Sequence, residues 1–318
     1  MEHLELAPVA LFVYNRPDHA QKTVEALLRN ELASETDLIV FADGPKENAA
    51  ETTKQQIQAV RDYIGSISGF KSIECHFAEK NIGCADSIIR GVTETVNRYG
   101  KVIVVEDDIV THPFFLRFMN EGLEFYKDDK RIFTIGGTCN NIQIPKKYKY
   151  EIFLSCRSVS WGWATWRDRW KSADWNIEKY DIIRHPTRGK IRKFNRGGED
   201  MYDMLLMQLR GEIDAWDIRW DYCIHQHHGY TIVPTRTFAT NCGLDGSGIH
   251  CGSGLGYSTT PLYDHSVFDL QFIPSIKPDR RILRAYRNFF HVCEPKVPIG
   301  KRIKRVIKFC LRKLNLMK

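Results

Sequence analysis

Three continuous apolar runs divide the first third of the chain: Val9–Tyr14 (VALFVY), Leu38–Ala42 (LIVFA) and Lys101–Val105 (KVIVV). Such runs, without polar alternation, mark strands buried on both faces. Ser72–Ala78 reads as a fourth, more polar strand between the second and third runs. Turn and helix signals separate them. Asn15-Arg16-Pro17 breaks the first run, and Asp18 is placed to cap a helix over His19–Arg29. Asp43-Gly44-Pro45 ends the second run, ahead of a polar helix over Ala50–Ser66. Ala85–Arg98 places Ile88, Ile89, Val92 and Val96 at helical spacing. This βαβαβαβ order predicts an α/β fold with a doubly wound, mostly parallel sheet and helices on both faces.

The pattern changes after Pro113. Helices are expected over Phe114–Tyr126, Met201–Arg210 and Trp216–His228, and strands over Ile132–Gly136 and Thr231–Val233. Trp161–Trp170 is aromatic-rich, and its 161/166/170 spacing also fits one packed helix face. We divide the chain into a ligand-binding half (1–110), a second half built on the same sheet (111–273) and a basic helical tail (274–318).

Charge and cysteine usage narrow the function classes. From Lys296 onward there are nine Lys and Arg and no acidic residue. The whole chain has 46 basic residues; without those nine, 37 face 39 Asp and Glu. A nucleic-acid binder would spread basicity over its body, so no nucleic-acid partner is expected. The nine cysteines are odd in number and irregularly spaced, without CxxC, which fits reduced thiols rather than zinc sites or a disulfide framework. The acidic N-terminal stretch does not read as a signal peptide, and no run approaches the roughly 18 apolar residues of a membrane span.

Lys101–Val110 reads KVIVVEDDIV, three carboxylates directly after a buried strand. In open α/β sheets ligands bind beyond the carboxyl ends of the strands. Three adjacent carboxylates repel one another unless a cation sits among them, and a hard divalent ion, Mn2+ or Mg2+, suits oxygen ligands. Such an ion also bridges carboxylate to phosphate.

At these residues the chain resembles the GT-A glycosyltransferases. Glu106-Asp107-Asp108 resembles their DxD-type motif. More specifically the chain looks like the N-acetylglucosaminyltransferase I group and its bacterial relatives in surface-polysaccharide synthesis. Asn15-Arg16 after the first strand, Asp43 after the second and Ser160-Trp161-Gly162-Trp163 after the acidic motif belong to the same ordered set, which spans roughly residues 7–240.

The resemblance implies a GT-A fold and a metal-dependent, inverting transfer from a nucleotide-sugar, UDP-linked in that family, to a saccharide or lipid-linked oligosaccharide. It implies Asn15 and Arg16 near the diphosphate or base, and Asp43 on the base. It puts Asn81 and Gly83 in a loop passing the nucleotide, and Trp161 and Gly162 near the donor sugar. Asp107 would touch ribose or sugar, Asp108 would bind the metal, and Glu106 would position both. His250, in a glycine-rich stretch, is a candidate second metal ligand. For the base that deprotonates the acceptor the candidates are Asp217, Asp200 and Asp221. Asp217 matches best, although the family has two adjacent Asp after the Trp where this chain has Asp217-Ile218.

Gly300–Lys318 places Ile303, Val306, Ile307, Cys310, Leu314 and Met317 on one helical face with Lys and Arg opposite. That pattern suits an anionic membrane surface, and a peripheral location on the inner face of the cytoplasmic membrane is expected. Two other function classes stay open. A sugar nucleotidyltransferase would carry a glycine-rich loop where this chain has Asn15-Arg16-Pro17-Asp18. A non-catalytic carbohydrate-binding protein would bind no nucleotide.

Overall fold

The computed structural model describes residues 5–244 and 259–292. In chain order the elements are β1 (Val9–Val13), α1 (Pro17–Leu28), β2 (Asp37–Ala42), α2 (Glu51–Gly65), β3 (Ser72–Phe77), α3 (Cys84–Tyr99), β4 (Lys101–Glu106) and β5 (Ile109–Thr111). Then come α4 (Phe115–Phe125), β6 (Ile132–Gly136), β7 (Ile152–Ser155), β8 (Trp163–Trp166), α5 (Arg167–Trp170), α6 (Asp181–Arg184) and α7 (Arg188–Phe194). The last are α8 (Met201–Leu209), α9 (Asp217–Gln226), β9 (Tyr230–Pro234), β10 (Ala239–Asn241) and α10 (Arg280–Val292).

Eight strands form one sheet in the order β3-β2-β1-β4-β8-β6-β9-β7. The first four are parallel to one another. β8 runs antiparallel to both β4 and β6, β9 is parallel to β6, and β7 is antiparallel to β9. The sheet is therefore mostly parallel, as expected, and it runs unbroken through both halves of the chain.

Strand alternation sends successive side chains to opposite faces. Val9, Leu11 and Val13 join α1, α2 and α4 in one core. Ala10 and Phe12 face the other core, with α3, Trp170 of α5 and Trp220 of α9. Helices thus cover both faces. β5 leaves this sheet to pair with β10, immediately after the acidic triplet.

Several local expectations are corrected. Asp18 does not cap α1: the helix begins at Pro17 with Arg16 at its cap. Proline lacks the N–H that a first helical turn leaves unpaired, and its φ already suits a helix. The Trp161–Trp170 stripe is not a helix face, because Trp163–Trp166 forms β8 in the middle of the sheet. His225 lies on α9, whereas His227 and His228 lie beyond its end.

The division at residue 274 does not mark where the body stops. Ile282, Tyr286 and Phe290 of α10 are buried with Phe153 of β7 and Val233 of β9. The Gly300–Lys318 stretch and His250 lie outside the described residues. Cys75, Cys84, Cys139, Cys156, Cys223 and Cys242 are free thiols. No helix among the described residues is long and apolar enough to cross a membrane.

Candidate active site

β4 ends at Glu106, in the middle of the sheet, and Asp107-Asp108 turn the chain into β5. Both aspartates are buried. The neighbouring strand β1 delivers Arg16, whose Nη2 donates to Asp107 and to Asp108, the latter at 2.9 Å. Tyr14 N–H also points at Asp107, at 3.4 Å, and Thr23 of α1 donates to the Asp107 carbonyl at 2.8 Å. Among the described residues the buried Arg16 Nη1 has no hydrogen-bond partner. A buried cationic donor left unpaired is costly, so an incoming anion such as a phosphate oxygen would relieve it. The chain after β10 closes over this pair. Cys242 N–H donates to the Asp108 carbonyl at 2.8 Å, and a Cβ on Gly243 would lie 2.5 Å from Asp108 Oδ2.

More carboxylates gather around the triplet. Burial first, then Asp108, Asp107 and Asp217, push the Glu106 carboxyl well above its ordinary range. Burial likewise raises Asp107, against the pull of Arg16. The Cys84 thiol, 4.0 Å from Glu106, is pushed up by burial and then by Glu106, Asp214, Asp107 and Asp217. This thiol is therefore no nucleophile at neutral pH. The excess of negative charge favours a cation.

Asp43, Asn81 and Gly83 come together as one unit. The Asp43 carboxylate accepts from Gly44 N–H (2.8 Å), Ile82 N–H (3.0 Å), Asn81 Nδ2 (2.8 Å) and Gly83 N–H (3.2 Å). These four bonds match the roughly four acceptor positions of a carboxylate. Gly83 caps α3 at φ 89°, a backbone region that favours glycine. It has no side chain to cap the helix. Asp214 supplies the negative charge instead, its Oδ2 3.4 Å from Ala85 N.

Asn15 and Tyr14 line an open cleft of about 490 Å³ with Lys46, Asn48 and Thr53, beyond the ends of β1 and β2. That volume is in the range of small-molecule sites. Trp163 pairs with Val104, so the register carries Gly162 and Trp161 past the end of β8 to where Glu106 ends β4. Trp161 is half-buried and its carbonyl accepts from Thr138 Oγ1 at 2.7 Å. Gly162 has φ 69°, and an added Cβ would lie 2.8 Å from the Phe115 ring.

The three candidate bases sit in different surroundings. Asp200 is buried, and both its oxygens accept from Arg157 Nη1 at 2.7 Å. Asp221 is buried and accepts from Ser158 N–H at 2.6 Å, with Arg157 Nε 4.0 Å away. Burial, with Asp217 adding to it, pushes the Asp221 carboxyl up to about 7 against the pull of Arg157. Asp217, the first residue of α9, is half-buried and among the described residues accepts only from its neighbour Ile218 N–H, at 2.8 Å. Of the three it has the freest carboxylate.

Arg157 and Asp214 escaped the sequence reading. Arg157 follows a short strand with no motif around it, yet it ties α8 to α9 and carries Phe290 of α10 over its guanidinium at 3.8 Å. The only signal for Asp214 was its place two residues before Trp216.

Among the described residues no three His, Cys, Asp or Glu side chains converge to hold a metal. A hard cation shared with a diphosphate takes only one or two protein carboxylates, the rest being water and phosphate oxygens. Asp108, with Asp107 beside it, is a donor set of that kind.

No family model and no curated protein matches this chain. Among solved structures, TarS of S. aureus superposes with a TM-score of 0.37 at 12% identity. The overlap covers 73% of this chain and 36% of TarS, so the chain spans little more than a third of that protein. A likeness this distant carries no argument about activity.

Proposed function

We propose that this chain is a glycosyltransferase that moves a sugar, with inversion, from a nucleotide-sugar to a saccharide or lipid-linked saccharide in surface-polysaccharide synthesis. One observation carries the reading: buried Asp107 and Asp108, at the carboxyl end of a central parallel strand, share Arg16, which caps α1 just after the neighbouring strand β1. An arginine whose buried Nη1 is unpaired among the described residues, beside an excess of carboxylates, suits a ligand that brings both phosphate and a divalent cation.

Asp108, assisted by Asp107, would hold Mn2+ or Mg2+. When bound, the ion supplies positive charge against the negative charge that builds on the departing diphosphate. Arg16 would contribute the same kind of stabilisation from the protein side. The open cleft at Tyr14, Asn15 and Lys46 would take the nucleoside, and Asp43 would hold the Asn81–Gly83 loop in place. Trp161 offers a ring face to a sugar.

In the transfer, the acceptor hydroxyl oxygen forms the new bond to the anomeric carbon. The bond from that carbon to the phosphate oxygen breaks, and its electron pair leaves with the nucleoside diphosphate. Asp217 would take the hydroxyl proton. Asp200 and Asp221 already serve Arg157 and would act as supports.

The test is a panel of nucleotide-sugars, with and without Mn2+, assayed for release of nucleoside diphosphate and for transfer to saccharide acceptors. Metal-dependent release from one donor supports the proposal. Pyrophosphate release from a nucleoside triphosphate and a sugar phosphate would instead make the chain a nucleotidyltransferase. The absence of both reactions would leave a binding protein. Asp217→Asn is expected to keep donor binding and slow transfer by about 10²–10⁴; normal transfer would move the base elsewhere.

A further inference from the structure

The open edge of the sheet has no part in the site above. β3 is the outermost strand, bonded to β2 on one side, and among the described residues no strand lies on its other side. Such an edge presents a row of N–H and C=O groups that a second strand can take up. The Ala42 carbonyl of β2 accepts from Ala78 N–H at 3.0 Å. Peptide groups alternate in direction along a strand, so residues 74 and 76 turn theirs toward β2. Ile73, Cys75 and Phe77 turn theirs outward.

Proteins blunt such edges with proline, bulges or very short strands. β3 is six residues long, has no proline, and keeps an unbroken register with β2 from Ser72 to Phe77. On one face the rings of Phe12, Phe41 and His76 stack across β1, β2 and β3, with centroids 5.1 and 4.9 Å apart. His76 Nε2 lies 2.9 Å from Glu74 Oε1, and Arg98 Nη1 donates to Glu74 at 2.7 Å. On the other face Ile73 packs against the core and Cys75 is exposed. Phe77 keeps 46% of its surface in solvent, even with Arg61 over its ring at 5.4 Å.

The order of side chains makes this strand complementary to itself. Two copies of one edge, related by a two-fold axis, pair antiparallel, and directly opposed residues share a face of the sheet. With the axis at Glu74, two carboxylates of the same kind would face each other. With the axis at His76, two His76 rings would meet and each Glu74 would face Ala78. With the axis at Cys75, Glu74 faces His76 of the second copy, twice. Ile73 then faces Phe77, also twice, and just beyond the strand Lys71 faces Glu79. In that register the outward peptide groups of Ile73, Cys75 and Phe77 meet the same groups of the second strand, as an antiparallel ladder requires.

We infer that β3 is the contact between two copies of this chain, which pair antiparallel about Cys75 and join their sheets into one. The pairing covers the exposed Phe77 with Ile73 and supplies partners for the outward backbone groups. Each Glu74 then sits among Arg98 and His76 of its own chain and His76 of the second copy. A second copy fits better than an unrelated strand, which would have to carry the same alternation of charge and apolar residues in the same register.

The experiment is light scattering and sedimentation of the full chain, under reducing conditions and over a range of concentrations, with cross-linking by a short bis-maleimide. The wild type is expected to reach the mass of two chains and stop there, because a two-fold contact closes on itself. The bis-maleimide should join the copies through Cys75, and Cys75→Ser should lose that product. Phe77→Glu places a charge opposite Ile73 at both ends while leaving Arg61 beside it in the single chain. It should weaken the dimer about ten-fold or more, with an unchanged melting temperature. Cys75→Pro removes an N–H that faces the open edge and should leave single chains; where it folds poorly, Phe77→Glu reads the same contact. A wild type that stays a single chain at every concentration would overturn the proposal. So would a dimer that Phe77→Glu leaves intact, or one whose two Cys75 residues cannot be joined.

Discussion

Arg16 compensates only part of the charge of Asp107 and Asp108, and a cation would have to enter beside it. The guanidinium and a divalent ion compete for the same Asp108 carboxylate, whose Oδ2 accepts from Arg16 at 2.9 Å. Arg16→Met is therefore expected to tighten Mn2+ binding in the absence of nucleotide and to weaken nucleoside-diphosphate binding in its presence. Electron paramagnetic resonance of free Mn2+ reads the first effect and calorimetry the second; unchanged Mn2+ affinity would show that the pair does not guard the site. Asp108→Ala should lower turnover by about 10²–10³, the usual scale for losing one electrostatic element of a transition state, while thermal melting shows an intact fold. Near-native turnover would remove Asp108 from the chemistry. The triplet, Arg16 and Asp43 were legible in the sequence because each stands directly after an apolar strand, where an α/β sheet gathers its ligand contacts. Arg157 was not legible. Its importance comes from Asp200, Asp221 and Phe290, all remote in sequence, and no local pattern announces a buried arginine with such partners.

Elements that bury one regular face were read correctly in kind and nearly in extent. α3 is the clear case, its Ile88, Val92 and Val96 lining one core. β8 was misread because four residues, Trp163-Ala164-Thr165-Trp166, cannot reveal a period, and short apolar runs fit a helix or a strand equally well. β7 was missed for the same reason. The loop between β3 and α3 depends on one side chain outside it. Asp43→Ala would leave the Gly44, Ile82 and Gly83 N–H groups without their acceptor and Asn81 Nδ2 with the Gly44 carbonyl alone, at a cost of about 2–4 kcal/mol if the loop cannot find water. A drop in the urea midpoint together with weaker nucleotide binding is expected. A midpoint equal to wild type would mean that the loop holds itself.

On the scale of the whole molecule, the buried Arg157 joins α8, α9 and α10, so the C-terminal helix is part of the framework behind Asp217. Its partner Asp221 links that framework to pH. The Asp221 carboxyl is held up at about 7 in the folded chain, against about 3.9 when unfolded. A raised carboxyl binds its proton more tightly in the native state. Its contribution to stability is thus complete below about pH 4 and fades as pH climbs through about 7. His225, pushed down to about 4 mainly by burial, acts in the opposite sense and loses its contribution as pH falls from about 6.5. Asp221→Asn keeps an oxygen for Ser158 N–H and cannot titrate. The wild type should therefore lose stability relative to Asp221→Asn between about pH 4 and pH 7, by no more than about 4 kcal/mol. Parallel urea midpoints across that range would contradict the assignment.

The most direct measurement is a crystal of the protein soaked with manganese and UDP, with anomalous scattering recorded at the manganese edge. An anomalous peak is expected between Asp108 and the diphosphate, with Arg16 moved onto the phosphate oxygens. A nucleotide bound elsewhere, with Arg16 still clamped on Asp107 and Asp108 and no manganese beside them, would contradict it.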